Sequence, residues 1–137
     1  ALEAEGLEDP ETVDFIVDNL KSKGYLDDRR FAAEYADHLV GSRSAGPGMV
    51  RMRLRQAGVS PELLEAEIGR IFSGEVERDS ALRIARSRIS SMKAAGREKA
   101  AGRIRGYLAR RGYDPGIVSE ITYRILSGKM TGDDDER

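Results

Sequence analysis

The chain has 137 residues, 34% charged and 39% hydrophobic, with a formal net charge of −1. That length suits one ordinary domain or a short array of small repeats, and the apolar content suffices only for a thin core. There is no cysteine and one histidine, His38, which excludes a disulfide scaffold, a thiol nucleophile and a thiolate metal site and leaves no basis for a His-ligated metal or a His-based triad.

Helical periodicity runs along the chain. Asp9-Pro10 starts a predicted helix over 11–22 with Val13, Ile16, Val17 and Leu20 on one face and Phe15 opposite. Residues 28–40 bring Phe31, Tyr35 and Leu39 together, with His38 at the edge of that face. Residues 41–48 read as a glycine-rich connector; they lack the Gly-Lys-Ser/Thr of a phosphate-binding loop. A helix from about 48 to 57 turns Val50, Leu54 and Ala57 inward and stops at Gly58. Ser60-Pro61 caps the next, whose stripe is Leu64, Ile68 and Ile71. Residues 77–94 align Leu82, Ala85, Ile89 and Met92, and residues 98–111 align Ala101, Ile104 and Leu108 before Gly112. Asp114-Pro115 caps a last helix carrying Ile117, Val118, Ile121 and Ile125. From Ser127 onward the polar, acidic composition predicts disorder. No strand pattern occurs, and an all-α protein is expected.

Sliding the chain on itself by 54 residues superimposes Leu54 on Leu108, Gly58 on Gly112, Ser60-Pro61 on Asp114-Pro115 and Leu64 on Val118. An earlier copy shows at 20–25, where Leu20, Gly24 and Tyr25 match Leu108, Gly112 and Tyr113. A short helix pair cannot bury its stripe alone, so three-helix units are expected to stack into an elongated array. Such a shape favours a large partner over a small substrate.

The small net charge conceals a gradient. Residues 1–42 carry a net −7, residues 43–79 balance, residues 80–126 carry +8 and the last eleven return to −2. Asymmetry of this size points to a polyanion or an acidic protein surface. The basic residues form stripes: Arg83, Arg86 and Lys93 on the helix at 77–94; Lys99, Arg103 and Arg110 on the helix at 98–111; and the i, i+4 pair Arg51 and Arg55. Gly106 lies among the second set and would let a partner approach the backbone. Arginine's planar fork suits phosphate and carboxylate alike. Asp27-Asp28 is the most conspicuous acidic pair, but at the start of a helix it reads as a cap rather than a metal or acid–base site. Neither catalytic residues nor a metal or cofactor site is expected.

The run Gly24-Tyr25-Leu26-Asp27-Asp28-Arg29-Arg30-Phe31-Ala32 resembles the signature of the RecX family of bacterial recombination regulators. The 41–48 loop followed by Val50-x3-Leu54-x3-Gly58-Val59 is similar to that family's next segment, and Arg111-Gly112-Tyr113-Asp114 to its third-repeat counterpart. The resemblance covers residues 10–126. It implies tandem three-helix repeats without enzymatic activity, binding to the RecA recombinase filament, and inhibition of its ATP hydrolysis, strand exchange and co-protease function, so that recombination and the SOS response are modulated. On this reading residues 1–23 are the remnant of a first repeat cut short at its N-terminal side. Residues 24–73 are the second repeat, 74–126 the third and 127–137 an acidic tail. The basic stripes are the expected contacts to RecA or its bound DNA, while Gly24, Tyr25, Leu26, Asp27, Asp28 and Phe31 are a mainly structural signature.

A stand-alone helical nucleic-acid-binding protein is the competing reading. No apolar run approaches the ~20 residues of a membrane span and no signal-peptide pattern opens the chain, so a cytoplasmic location is expected. The open array predicts a monomer: sedimentation equilibrium is expected to give a single species at the monomer mass, and a stable dimer would contradict the reading.

Overall fold

The protein is described by a computed structural model over residues 28–130. The expected helix over 11–22, Phe15 and the signature residues Gly24, Tyr25, Leu26 and Asp27 lie outside the described residues. Six α-helices follow one another without a strand among the described residues: α1 (Asp28–Arg43), α2 (Pro47–Gln56), α3 (Pro61–Ile71), α4 (Val76–Ile89), α5 (Arg97–Arg110) and α6 (Pro115–Leu126), with a single 3-10 turn, Lys93–Ala95, between α4 and α5.

The helices sort into two three-helix units, each with its own core. In the first, α1 contributes Phe31, Tyr35 and Leu39, α2 contributes Val50 and Leu54, and α3 contributes Leu64 and Ile68, all buried. Phe31 and Tyr35 meet ring to ring at 5.6 Å, which gives the signature phenylalanine a packing role. In the second unit Leu82, Ile104, Leu108, Val118, Ile121 and Ile125 do the same work. Small residues at Ala81, Ala85, Ala100 and Ala101 lie in that core along α4 and α5.

Local chemistry explains the element boundaries. The Ser60 hydroxyl accepts a hydrogen bond from the Leu63 N–H at 3.3 Å, and Asp114 Oδ2 accepts one from Gly116 N–H at 2.9 Å; each cap precedes a proline at the first helical position. Asp28 opens α1, where its exposed carboxylate complements the helix dipole. α2 and α5 end identically. In α2 the Gly58 N–H donates to the Arg55 carbonyl and Val59 N–H to Leu54, both at 3.0 Å; in α5 Gly112 donates to Ala109 and Tyr113 to Leu108, at 3.0 and 3.1 Å. Gly58 and Gly112 both hold positive φ, 90° and 89°. This is the Schellman arrangement, repeated at the 54-residue offset.

Two boundaries depart from the sequence reading. α4 stops at Ile89 rather than running to 94. The Ser90 and Ser91 hydroxyls donate to the carbonyls of Ser87 and Arg88 at 2.9 and 2.8 Å, offering the backbone an alternative to another helical turn. Lys93 therefore belongs to the 3-10 turn and not to α4, the helix of Arg83 and Arg86. Past Ser127, where disorder was expected, the chain continues in an ordered course to Met130, which is buried in the second core.

The two units are joined by backbone. Gly46 N–H donates to the Arg111 carbonyl at 2.7 Å and Gly48 N–H to the Gly112 carbonyl at 2.8 Å. Within the second unit, beside this seam, Glu77 Oε2 accepts from the Asp114 N–H at 2.8 Å. The approach is so close that a Cβ at Gly112 would stand 2.2 Å from the Met49 nitrogen, whereas one at Gly58 would meet nothing within 4 Å. Gly58→Ala is thus expected to cost only its left-handed backbone, roughly 1–2 kcal/mol. Gly112→Ala pays that and disrupts the seam as well, for a total above about 3 kcal/mol. Denaturant unfolding of the two variants checks this, and equal losses would contradict it.

Candidate binding surface

Basic side chains divide by whether a carboxylate answers them. Arg51 reaches from α2 to Glu65 on α3 through two bonds, Nε to Oε2 at 2.7 Å and Nη2 to Oε1 at 3.2 Å. Arg70 bridges Asp37 at 2.8 Å and also Glu67. Arg78 on α4 grips Glu120 on α6 through Nε, at 2.9 and 3.1 Å, and through Nη2. The hydrogen bonds hold the Glu65 and Glu120 carboxyls below the usual carboxylate range and raise the pKa of their arginines. These pairs connect helices within a unit, and solvent screening keeps the contribution of each small.

The other sequence-predicted cations lie in different surroundings. Arg55 is exposed on α2, one turn from Arg51. On α4, Arg83 is exposed and Arg86 half-buried. Lys99, Arg103 and Arg110 all project from α5 and are exposed. Among the described residues no carboxylate pairs with Arg83, Lys99, Arg103, Arg105 or Arg110. The structure thus brings Lys99, Arg103 and Arg110 together on one helix and puts Lys93 in a different element from Arg83 and Arg86. At Gly106 the open backbone expected for a partner is occupied: Arg110 folds back so that its Nη1 lies 3.1 Å from where a Cβ would stand.

Sequence reasoning missed a second basic cluster, at the seam between the units. Arg88 from α4 and Arg111 after α5 both sit over the ring of Tyr107, at 3.8 and 5.2 Å from its centroid. Across the seam Arg53 of α2 is 1% exposed. Its Nε and Nη1 are buried without hydrogen-bond partners, while the Tyr35 hydroxyl accepts a bond from the guanidinium. Burial lowers the Arg53 pKa most, and the charges of Arg43 and Arg111 lower it further. The repeat offset was the available signal: it superimposes Arg53 on Tyr107. In the first unit the arginine is on the second helix and its tyrosine, Tyr35, on the first. In the second unit the order is exchanged, Tyr107 on the second helix and Arg88 on the first.

Tyr113, next to Gly112, is buried under the seam with its ring against Gly46. It borders a groove of about 550 Å3 that Pro47, Arg51, Phe72, Glu77 and Pro115 also line. Burial pushes its pKa up to about 12, partly countered by Arg83. Among the described residues no group of three or more His, Cys, Asp or Glu side chains could hold a metal ion, and no helix is long and apolar enough to cross a membrane.

Comparison with known proteins adds a family. A family model described as RecX, second three-helix domain, matches residues 27–67, the stretch that forms α1, α2 and most of α3. Proteins named "Regulatory protein RecX" align over most of the chain. The one from Thermobifida fusca is 29% identical over 88% of this chain and 62% of its own length. A Mycobacterium sp. protein is 30% identical over 83% and 64%, and one from Thermotoga petrophila 33% identical over 61% and 46%. The chain therefore spans about half to two thirds of the length of these relatives. No solved structure matches it.

Because folding holds Tyr113 neutral, stability should be fully present below pH 10, the ordinary tyrosine value, and fall as pH rises from 10 towards 12. The loss is about 1.4 kcal/mol per pH unit over that window. The difference in unfolding free energy between wild type and Tyr113→Phe, followed from pH 9 to 12, is expected to show this slope; a flat difference would refute it.

Proposed function

The chain belongs to the RecX family, and from that premise we propose that it is a regulatory protein that binds the RecA recombinase filament and inhibits its ATPase, strand-exchange and co-protease activities. In this role it modulates recombination and the SOS response, acting in the cytoplasm as a monomer and without catalysing a reaction itself. The observation that carries the proposal is a contrast among the cations. Arg51 and Arg70 of the first unit are answered by its own carboxylates, whereas α4 and α5 present Arg83, Lys99, Arg103 and Arg110 with none. Unanswered guanidinium groups on a rigid helical surface suit a partner lined with carboxylates and phosphates, which is the chemistry of a protein filament wound on DNA. Arg51 and Arg55 extend that surface onto the first unit, with Arg51 giving up its bond to Glu65 on contact. Arg86 and Lys93 remain expected contacts of the same partner. The signature residues Asp28 and Phe31 serve the fold.

RecA's ATP hydrolysis on single-stranded DNA, measured while the protein is titrated in, tests this. Inhibition is expected at or below equimolar protein. The double variant Arg103→Glu/Arg110→Glu should need at least about tenfold more protein, corresponding to about 1.4 kcal/mol of contact energy. A folded wild-type protein without effect on hydrolysis would overturn the proposal. DNA retention by the protein alone, lost steeply with salt, would then favour a stand-alone nucleic-acid binder.

A further inference from the structure

The groove at the seam is chemically unlike the basic face of α5. It measures about 550 Å3 and is walled by Pro47 and Phe72 from the first unit and by Tyr113 and Pro115 from the second. Two carboxylates, Glu77 and Asp114, line it as well. Each has one oxygen committed to backbone: Glu77 Oε2 accepts the Asp114 N–H at 2.8 Å and Asp114 Oδ2 the Gly116 N–H at 2.9 Å. The remaining oxygens, Glu77 Oε1 and Asp114 Oδ1, accept no hydrogen bond among the described residues, and no described cation forms a salt bridge with either carboxylate. The arginine that lines the groove, Arg51, is held by Glu65 through both sides of its fork. Residues 80–126 carry eleven Lys and Arg against Glu98, Asp114 and Glu120, so an unanswered Asp114 is not explained by a shortage of cations.

Tyr113 adds an independent observation. It is 5% exposed and borders the groove, yet its hydroxyl has no hydrogen-bond partner among the described residues. Native proteins nearly always satisfy a polar group so deeply buried with protein, water or ligand. A tyrosine hydroxyl accepts as well as donates. The groove therefore sets three oxygens with acceptor capacity beside the apolar surfaces of Phe72 and Pro115. That combination suits a group rich in donors and carried on an aliphatic stem. Arginine has five N–H donors in a planar fork, no acceptor, and a stem that packs on apolar surface. The fork can bridge two separated carboxylates, which the compact ammonium of lysine does less well.

We propose that the groove is a docking site for an arginine side chain of a partner protein, its stem against Phe72 and Pro115 and its guanidinium shared by Glu77 and Asp114. Asp114 and Pro115 are exposed at the rim, so the side chain enters from a polypeptide lying outside. Because the walls come from both units, an occupant touches both at once. This docking is distinct from that of the cationic face of α5 and holds whichever protein supplies the arginine.

The full chain, labelled with 15N, is titrated with the dipeptide acetyl-leucyl-arginine amide, and the amide resonances of Gly48, Gly69 and Gly112, which line the groove, are followed. Saturable shifts of these resonances are expected, with a dissociation constant of about 1 mM. The same dipeptide with citrulline, which keeps the shape and removes the charge, should bind at least about tenfold more weakly. Glu77→Gln retains an acceptor for the Asp114 N–H, and Asp114→Asn retains the helix cap. Each should fold as wild type does and lose most of the preference for arginine over citrulline. Absence of shifts in wild type, equal affinity for the two dipeptides, or an undiminished preference in both variants overturns the proposal. Shifts of the same resonances on dilution of the protein alone would assign the groove to a second copy, and binding that appears only in Lys21→Gln/Lys23→Gln would assign it to this chain's own N-terminal segment. Either result also overturns the proposal.

Discussion

At Gly112 the backbone meets two demands that a side chain would prevent. Its φ of 89° closes the Schellman turn that ends α5, and its Cα side faces the first turn of α2 so closely that a Cβ would stand 2.2 Å from the Met49 nitrogen. Its carbonyl then accepts the Gly48 N–H, while the neighbouring Arg111 carbonyl accepts that of Gly46. Both bonds are between main-chain groups, and neither depends on the long side chains that surround them. The relative placement of the two units thus follows from a helix-ending device that first serves a local purpose.

Much else at the seam is a consequence. Once the α5–α6 turn lies against the α1–α2 loop, Tyr113 is covered and its hydroxyl is held neutral well above its ordinary range. Within the second unit, Glu77 accepts the Asp114 N–H and so supports the cap residue of α6. Arg111 is carried towards Arg53 and Arg43, so that backbone complementarity brings together like charges that would otherwise stay apart. Hydrogen bonds and burial hold the units together there, against the burial of Arg53, which lowers its pKa most, and a smaller repulsion from Arg43 and Arg111.

The parts legible in the sequence are those set by neighbours in the chain. Ser60-Pro61 and Asp114-Pro115 mark helix starts because their side chains bond N–H groups two or three residues on. Gly58 and Gly112 mark helix ends because the turn there requires positive φ. The stripes of Leu54 and Leu108 follow from helical periodicity alone, and with them the all-helical repeat. What stayed hidden depends on distant residues or on competition. Ser90 and Ser91 end α4 by bonding back to its carbonyls, an outcome the apolar spacing of Ile89 and Met92 disguises. Met130 looked like part of a polar tail, yet one methionine finding the second core orders the segment before it. Arg51 counted as a surface cation until Glu65, fourteen residues on, claimed both sides of its guanidinium. The pairing of Arg88 with Tyr107 needs the packing of α4 on α5, which no single-helix pattern carries, whereas Arg111 reaches the same ring at i, i+4.

The exchange of arginine and tyrosine between the units has a further consequence. Both units place an arginine and a tyrosine between their first two helices, but the chemistry differs with the order. In the first unit the tyrosine comes from α1 and is buried, so Arg53, reaching inward from α2, is buried with it. In the second, Tyr107 comes from α5 and is half-buried, and Arg88 reaches over it from α4 while staying exposed. A cation held by a ring face keeps its N–H edges available, whereas an arginine bonded to Glu65 or Glu120 has spent them. The first unit thus turns Arg53 inward and neutralises Arg51 and Arg70, and the second leaves Arg83, Lys99, Arg103 and Arg110 outward and unanswered. Two copies of one helical plan, locked by main-chain bonds, thus differ in how many of their outward arginines and lysines a carboxylate answers.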